Sequence, residues 1–400
     1  MKRSLFITLL LLSVGCGRLE PRQVGQSVDL TGVLAGVVVA GTDFQRGAGI
    51  ANFVVLNPQN LGFITYRNLE LLSADPVVRA FPGIDPDHVW VVNRLGFDNI
   101  QVLDPYHNFT TSAQFSMGNG SNPQDILVIS PDKAYVTRYE SPYSDVLIVN
   151  PNNGKALGKI PLSPFASNPD HLPRPAAMLQ VGNRAFIALQ NLDATFNWGE
   201  NQLESGRIVV VDVDTDQVVD ADTATPGMDP IILQTRNPQA MAYSQLQDLI
   251  YVASAGLFVQ YHPEWGGLEA VDPNTLASAG VICHGTDPGI NGNVVDLALA
   301  LPPDPTAFLL VSSLSPNNQF ESKVIQVSLT SGLLISNIYT AAANALISDI
   351  ALDSQGFLLI ADRWPRRPAL VIYNSTTGEF MDPVSLEPPP FSLAPWDKGI

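Results

Sequence analysis

Two cysteines in 400 residues, Cys16 and Cys283, allow at most one disulfide. A cross-linked secreted scaffold is therefore excluded, and the fold must stand on an apolar core. Charge is scarce as well. Only 15% of residues are charged, and 21 basic against 38 acidic residues leave a net charge of −17. That balance excludes a nucleic-acid or anionic-lipid surface as the main partner. The five histidines, His88, His107, His171, His262 and His284, fall at no metal-ligand spacing, and Cys283 beside His284 makes no zinc site. C-x-x-C-H, G-x-G-x-x-G and G-x-S-x-G are absent, so haem attachment, dinucleotide binding and a hydrolase elbow lack support. "SPDK" at 130–133 fits S-x-x-K, but it reads as a hairpin turn where that chemistry needs a helix. No sustained 3.6-residue period appears, and after residue 16 no apolar run is long enough to cross a bilayer.

What is present begins with an export signal over residues 1–15. Lys2 and Arg3 precede an apolar run from Leu5 to Leu12, followed by small residues up to Cys16. "SVGC" resembles the lipobox of bacterial lipoproteins, with Ser13 where that family usually has Leu. The resemblance implies acylation of Cys16 as the first mature residue, and Gly17 in place of Asp implies onward sorting to the outer membrane. The plain alternative is secretion with an unmodified Cys16. Residues 16–28 are polar and read as a tether, and a flexible linker of that size reaches about 20 Å. Cys283 then reads as a small buried apolar residue.

The most conspicuous stretch, "IVVVDVDTDQVVDAD" at 208–222, crowds five aspartates together. As a calcium loop counted from Asp212 it would need Gly at the sixth place and Glu at the twelfth, where the chain has Gln217 and Thr223. Its pattern, apolar strand, polar turn, second strand, recurs instead. Asp104, Asn150, Asp212, Asp272, Ser328 and Asn374 each open such a turn, in "IQVLDPYHNFTT", "VLIVNPNNGKAL", "IVVVDVDTDQVV", "LEAVDPNTLASA", "VIQVSLTSGLLI" and "LVIYNSTTGEFM". Their side-chain oxygens can accept from the backbone amides just ahead. A second hairpin precedes each, giving six four-stranded units about 45 to 60 residues apart, a period of β-propellers. "VLAGVVVAG", "IANFVVL" and "LGFITYR" near the N-terminus supply a seventh. The expected fold is all-β, a seven-bladed propeller over 29–386 with a C-terminal tail over 387–400. Residues 122–162 contain "YVTR" and resemble one repeat of the YVTN-type propeller family. That family is often exported and functionally mixed, so the resemblance implies the fold rather than an activity.

In a propeller the a–b and c–d turns share one face, and the b–c loops share the other with the inter-blade linkers. The b–c connections are here the long, variable ones, where recognition usually sits. They carry Tyr139, Trp198, Tyr261, Trp265 and Trp364, aromatics suited to a protein hot spot or to sugar stacking, or else folded back to seal the loops. Arg67, Arg94, Arg138 and Arg363 read as ends of b strands in "ITYR", "VVNR", "VTR" and "IADR". They could take an anionic ligand, or pair with Asp98, Asp145 and Asp362 to hold the ring. Asp125, Asp296 and Asp349 open inner strands at the channel mouth. They could hold calcium for a lactonase-like hydrolysis, or cap local turns and serve the arginines. The sequence thus predicts a membrane-anchored, monomeric, non-catalytic binding or scaffold module of the cell envelope, with no cofactor, meeting a protein, peptide or glycan through its b–c face. A metal-dependent hydrolase and a structural envelope component are the alternatives.

Overall fold

The computed structural model describes residues 27–30, 33, 35–44, 49–57, 62–168, 170–192, 205–257, 262–314 and 319–397. Seven antiparallel blades form a closed ring, a seven-bladed β-propeller. In chain order we number them blade 1 (35–72 with 390–397), blade 2 (76–116), blade 3 (123–161), blade 4 (175–219), blade 5 (238–284), blade 6 (293–340) and blade 7 (347–380). Within each blade four strands, a to d, run outward from the channel.

The strands form where the sequence places them because the middle strands are apolar on both faces. Ala35–Thr42 is buried at all eight positions, and "VVV" or "IVV" runs are what a strand covered on both sides requires. Outermost strands alternate instead: Thr110–Ser116 switches between exposed and half-buried at every residue. Among the described residues the apolar side chains collect in seven large clusters, one per blade interface, and a small one of Leu192 and Leu257. Leu127, Tyr135, Val146, Ile187, Val209 and Val211, for instance, join blades 3 and 4.

Each inner strand is a sheet edge, and its composition follows from that. Pro76–Phe81, Pro123–Ser130, Pro175–Val181, Pro238–Ser244 and Pro390–Asp397 all begin with proline, which has no N–H to leave unpaired. In six of the seven blades the pairing slips close to this start, as between Pro123 and Ile126 or between Ile347 and Ile350. Such bulges re-aim side chains. Here they turn residues such as Asp125 and Asp349 along the channel wall.

Two expectations are corrected. Residues 387–400 do not form a tail: Pro390–Asp397 is the inner strand of blade 1, paired antiparallel to Ala35–Thr42. The N-terminal segment has only three strands to give, Ala35–Thr42, Gly49–Asn57 and Gly62–Leu72, so the fourth must come from the other end. Arg67, read as the end of a b strand, lies in the outermost strand Gly62–Leu72, where Nη1 donates to the Ser385 carbonyl at 2.6 Å. The ring is locked by Trp396, 1% exposed, set edge-on to Phe53 at 5.7 Å between centroids and donating Nε1–H to the Pro86 carbonyl at 3.0 Å.

Ring closure should therefore dominate stability. Trp396→Ala is expected to cost about 3 to 5 kcal/mol in chemical denaturation, and a chain ending at Glu387 should lose cooperative unfolding altogether.

Candidate functional site

The bulged inner strands bring the three sequence-predicted carboxylates to one channel but give each a structural task. Asp125 accepts from Ile126 N at 3.0 Å and, across the joint to blade 4, from Met178 N at 2.8 Å. Asp296 accepts from Leu297 N at 2.8 Å and from Ile350 N of blade 7 at 3.1 Å. Asp349 accepts from Leu393 N of the closing strand at 2.7 Å. Ser392 continues the series, its Oγ accepting from Val78 N of blade 2 at 3.2 Å. The remaining joint of this arc is an ion pair, Arg79 Nε to Asp125 Oδ1 at 2.8 Å. Five successive joints, from blade 6 round to blade 4, are thus latched by polar side chains at the channel wall.

This arrangement leaves the carboxylates engaged within the protein. Among the described residues no group of three or more His, Cys, Asp or Glu side chains is placed to hold a metal ion. The carboxylate oxygens are turned to backbone amides and to Arg79, because an edge strand's bulge frees amides that need acceptors. Arg79 was not foreseen. Burial works against its charge, but Asp125, then Asp349 and Asp296, hold it above its ordinary pKa. Asp296 and Asp349 are neighbours on adjoining inner strands, and both carboxyls are held above the usual range, chiefly by burial. Burial first, and the neighbouring Asp349 charge next, lift the Asp296 carboxyl well above the usual range.

Toward the end from which these inner strands start, five guanidiniums of the b–c face lie over aromatic rings. Arg94 lies 5.6 Å from the Phe391 ring, Arg138 4.2 Å from Tyr143, Arg174 5.7 Å from Tyr139, Arg236 4.7 Å from Trp265 and Arg363 5.0 Å from Phe44. Three had been read from the ends of b strands. Arg174 and Arg236 sit instead in linkers just before inner strands, a position no repeat motif marks.

Most of these groups are committed to the scaffold. Buried Arg138 makes a bidentate pair with Asp145, 2.7 Å on both sides, as anticipated. Arg94 pairs with Asp75 at 2.5 Å and reaches Gln124 at 3.2 Å. Arg363 takes no aspartate; it donates to the Thr42, Pro389 and Pro390 carbonyls at 2.7, 3.3 and 2.9 Å, pinning blade 7 to the closing blade. Its pKa is pushed down to about 10 by burial. Asp98 caps the amides of Gly120 and Asn122, and Asp362 accepts from Tyr339 Oη and Trp364 N, so neither serves an arginine as expected.

The aromatic candidates divide similarly. Tyr139 is 6% exposed, its hydroxyl donating to Gln190 at 2.7 Å, so it seals its loop rather than meeting a ligand. Trp265 is half-buried, stacked on His262 at 4.1 Å, and Trp364 is half-buried against blade 7. Trp198 and Tyr261 lie outside the described residues, as does Cys16. Open apolar side chains on this face were missed, among them Phe44 (51% exposed), Leu95 (68%) and Phe97 (46%), in the b–c loops of adjoining blades 1 and 2. Leu95 and Phe97 lie in the short connection between Asn93 and Asn99, and a search guided by loop length passes over it.

No protein-family profile and no curated protein matches the sequence. Among solved structures, the chain is similar to a proposed 6-phosphogluconolactonase of Bacteroides fragilis, at 12% identity over 93% of this chain and 100% of that one, TM-score 0.59. It is also similar to a functionally unknown protein of Desulfotomaculum acetoxidans, at 14% identity over 91% and 99%, TM-score 0.56. A dihydro-haem d1 dehydrogenase matches at 14% over 94% and 76%, TM-score 0.53. At these identities the likeness is one of fold, shared by unlike chemistries.

The carboxyl pair gives a pH dependence with a definite sign. A folded pKa above the unfolded value, about 3.9 for Asp, contributes stability that is complete below that value and is lost as pH rises through the folded pKa. Asp212 and Asp272, held below the usual range chiefly by the Thr215 and Asn274 amides, act oppositely and only at lower pH. Asp349→Asn keeps an acceptor for Leu393 N and offers Asp296 a permanent donor. Its melting temperature should fall less than the parent's as pH rises above the usual carboxylate range; equal slopes would show that the pair contributes no pH dependence.

Proposed function

We propose that this protein is an exported, membrane-anchored propeller that acts as a non-catalytic binding or scaffold module through its b–c face. The observation that carries the reading is the exposure of Phe44, Leu95 and Phe97 in the b–c loops of adjoining blades, beside Arg94 and Arg363, which places apolar side chains and guanidiniums together on one face. Exposed aromatic and aliphatic groups beside guanidiniums are the composition of interaction hot spots. The ligand class that fits is a protein, peptide or glycan with apolar and anionic or polar groups. The channel offers less support for a hydrolase, since its carboxylates are engaged by the backbone and by Arg79. Export and anchoring are supported by the lipobox-like "SVGC" at 13–16.

Two measurements test this. Quantitative affinity capture from the solubilised native envelope should yield at least one species whose recovery falls about tenfold with Leu95→Ser and Phe97→Ser together, the loss of one hot spot. An exposed change on the other face, Asn152→Lys, should leave that recovery unchanged. Equal recovery from all three proteins would overturn the b–c assignment. Intact-mass analysis of the mature protein should show an acylated Cys16 as the first residue, and an unmodified Cys16 would refute anchoring.

A further inference from the structure

The polarity of the closing blade fixes which way the propeller faces if it is anchored, and the inference rests on the anchoring proposed above. Pro390–Asp397 runs from the b–c face down to the turn face, since Gly41 pairs with Pro390 and Ala35 with Asp397. Ala35–Thr42, its antiparallel neighbour, therefore starts at the turn face. Whatever precedes Ala35 leaves the ring on that side. The described residues just upstream agree: Val28 N donates to Asn108 Oδ1 at 2.7 Å, and Asn108 lies in the c–d turn of blade 2. Leu30 packs into the cluster with Phe53, Phe109 and Trp396, which fixes this exit.

We infer that in the anchored protein the a–b and c–d turns face the bilayer and the b–c face is presented away from it, to a partner that is not part of the anchoring leaflet. The lengths support this. Ala35–Thr42 has eight residues, so the two faces are separated by about 25 Å of strand. Twelve residues separate Cys16 from Val28, a span of at most about 40 Å even when extended. Turning the ring over would require that stretch to pass along the full height of a blade before reaching the lipid. The turn face itself is a poor membrane-docking surface. Exposed Asp132, Asp214, Asp248 and Asp304 stand at its turns, and they repel anionic headgroups.

The test uses the full lipidated chain in phosphatidylglycerol–phosphatidylethanolamine vesicles bearing a headgroup energy-transfer acceptor. A donor dye is attached at Asn152→Cys, in a c–d turn, or at Ser141→Cys, in a b–c loop; Cys283 is buried and stays unlabelled. Transfer should be at least about twofold higher from position 152, given a separation of about 25 Å along the strands. Asp132→Cys against Leu95→Cys repeats the comparison should either first variant fail to fold. Equal or reversed transfer, with acylation of Cys16 confirmed by mass, overturns the orientation and leaves anchoring intact. An unmodified Cys16 overturns the anchoring reading, and the orientation falls with it.

Discussion

One strand pairing holds the molecule together: Pro390–Asp397 against Ala35–Thr42, which joins the last residues of the ring to the first. A seven-bladed sheet array left open would expose two unpaired edges and two apolar faces, and closure removes both at once. Other features converge on this joint. Arg363 of blade 7 donates to carbonyls of both paired strands, Thr42 and Pro390, Asp349 takes the Leu393 amide, and Ser392 takes the Val78 amide of blade 2. Trp396 then fills the space between blades 1 and 2. The joint is made without a covalent link, so polar latches supply the register that an unbroken chain supplies elsewhere.

The same constraint explains the channel. Inner strands are edges, and their bulged starts leave amides that must find acceptors in a narrow, enclosed space. Aspartate is the shortest side chain that can accept from its own strand and from the next, as Asp125 and Asp296 do. Placing three carboxylates there has an electrostatic cost. Arg79 offsets it at Asp125, and burial with the neighbouring Asp349 charge raises the Asp296 carboxyl well above the usual range. Where the wall has Ala177 and Ala240, in blades 4 and 5, no such compensation is needed. Blade 5 is held instead by Glu269, fully buried, accepting from the amides of Gln234 and Thr235 and from the Thr235 and Ser278 hydroxyls. The side chains of Leu95 and Phe97, exposed at the rim, take no part in these latches.

Much of the fold was legible because its signals are local. The turn openers behave as their side chains suggest: Asp104, Asn150, Asp212, Asp272, Ser328 and Asn374 each accept from amides two or three residues ahead. The bidentate Arg138–Asp145 pair was also within reach, since seven residues and one b–c loop separate the partners. Arg79 was not, because it sits mid-strand with no motif around it and its partner is 46 residues away. The closing strand escaped for a related reason. "PFSLAPWD" has the prolines of an edge strand, and proline read along the chain signals a break.

By itself, then, the sequence determined the number of blades, the positions of their turns and the division into a short-turn face and a long-loop face. Those follow from alternation, side-chain oxygens at turns and loop lengths, all of which act within about fifteen residues, the scale of a hairpin. Only the tertiary structure decided which groups remain free. A carboxylate or an arginine becomes a ligand site or a latch according to what lies across a joint. That neighbour is 53 residues away for Asp125 and Met178, and 310 for Trp396 and Pro86. Local chemistry sets what each side chain can do, and closure of the ring sets what is left for it to do it with.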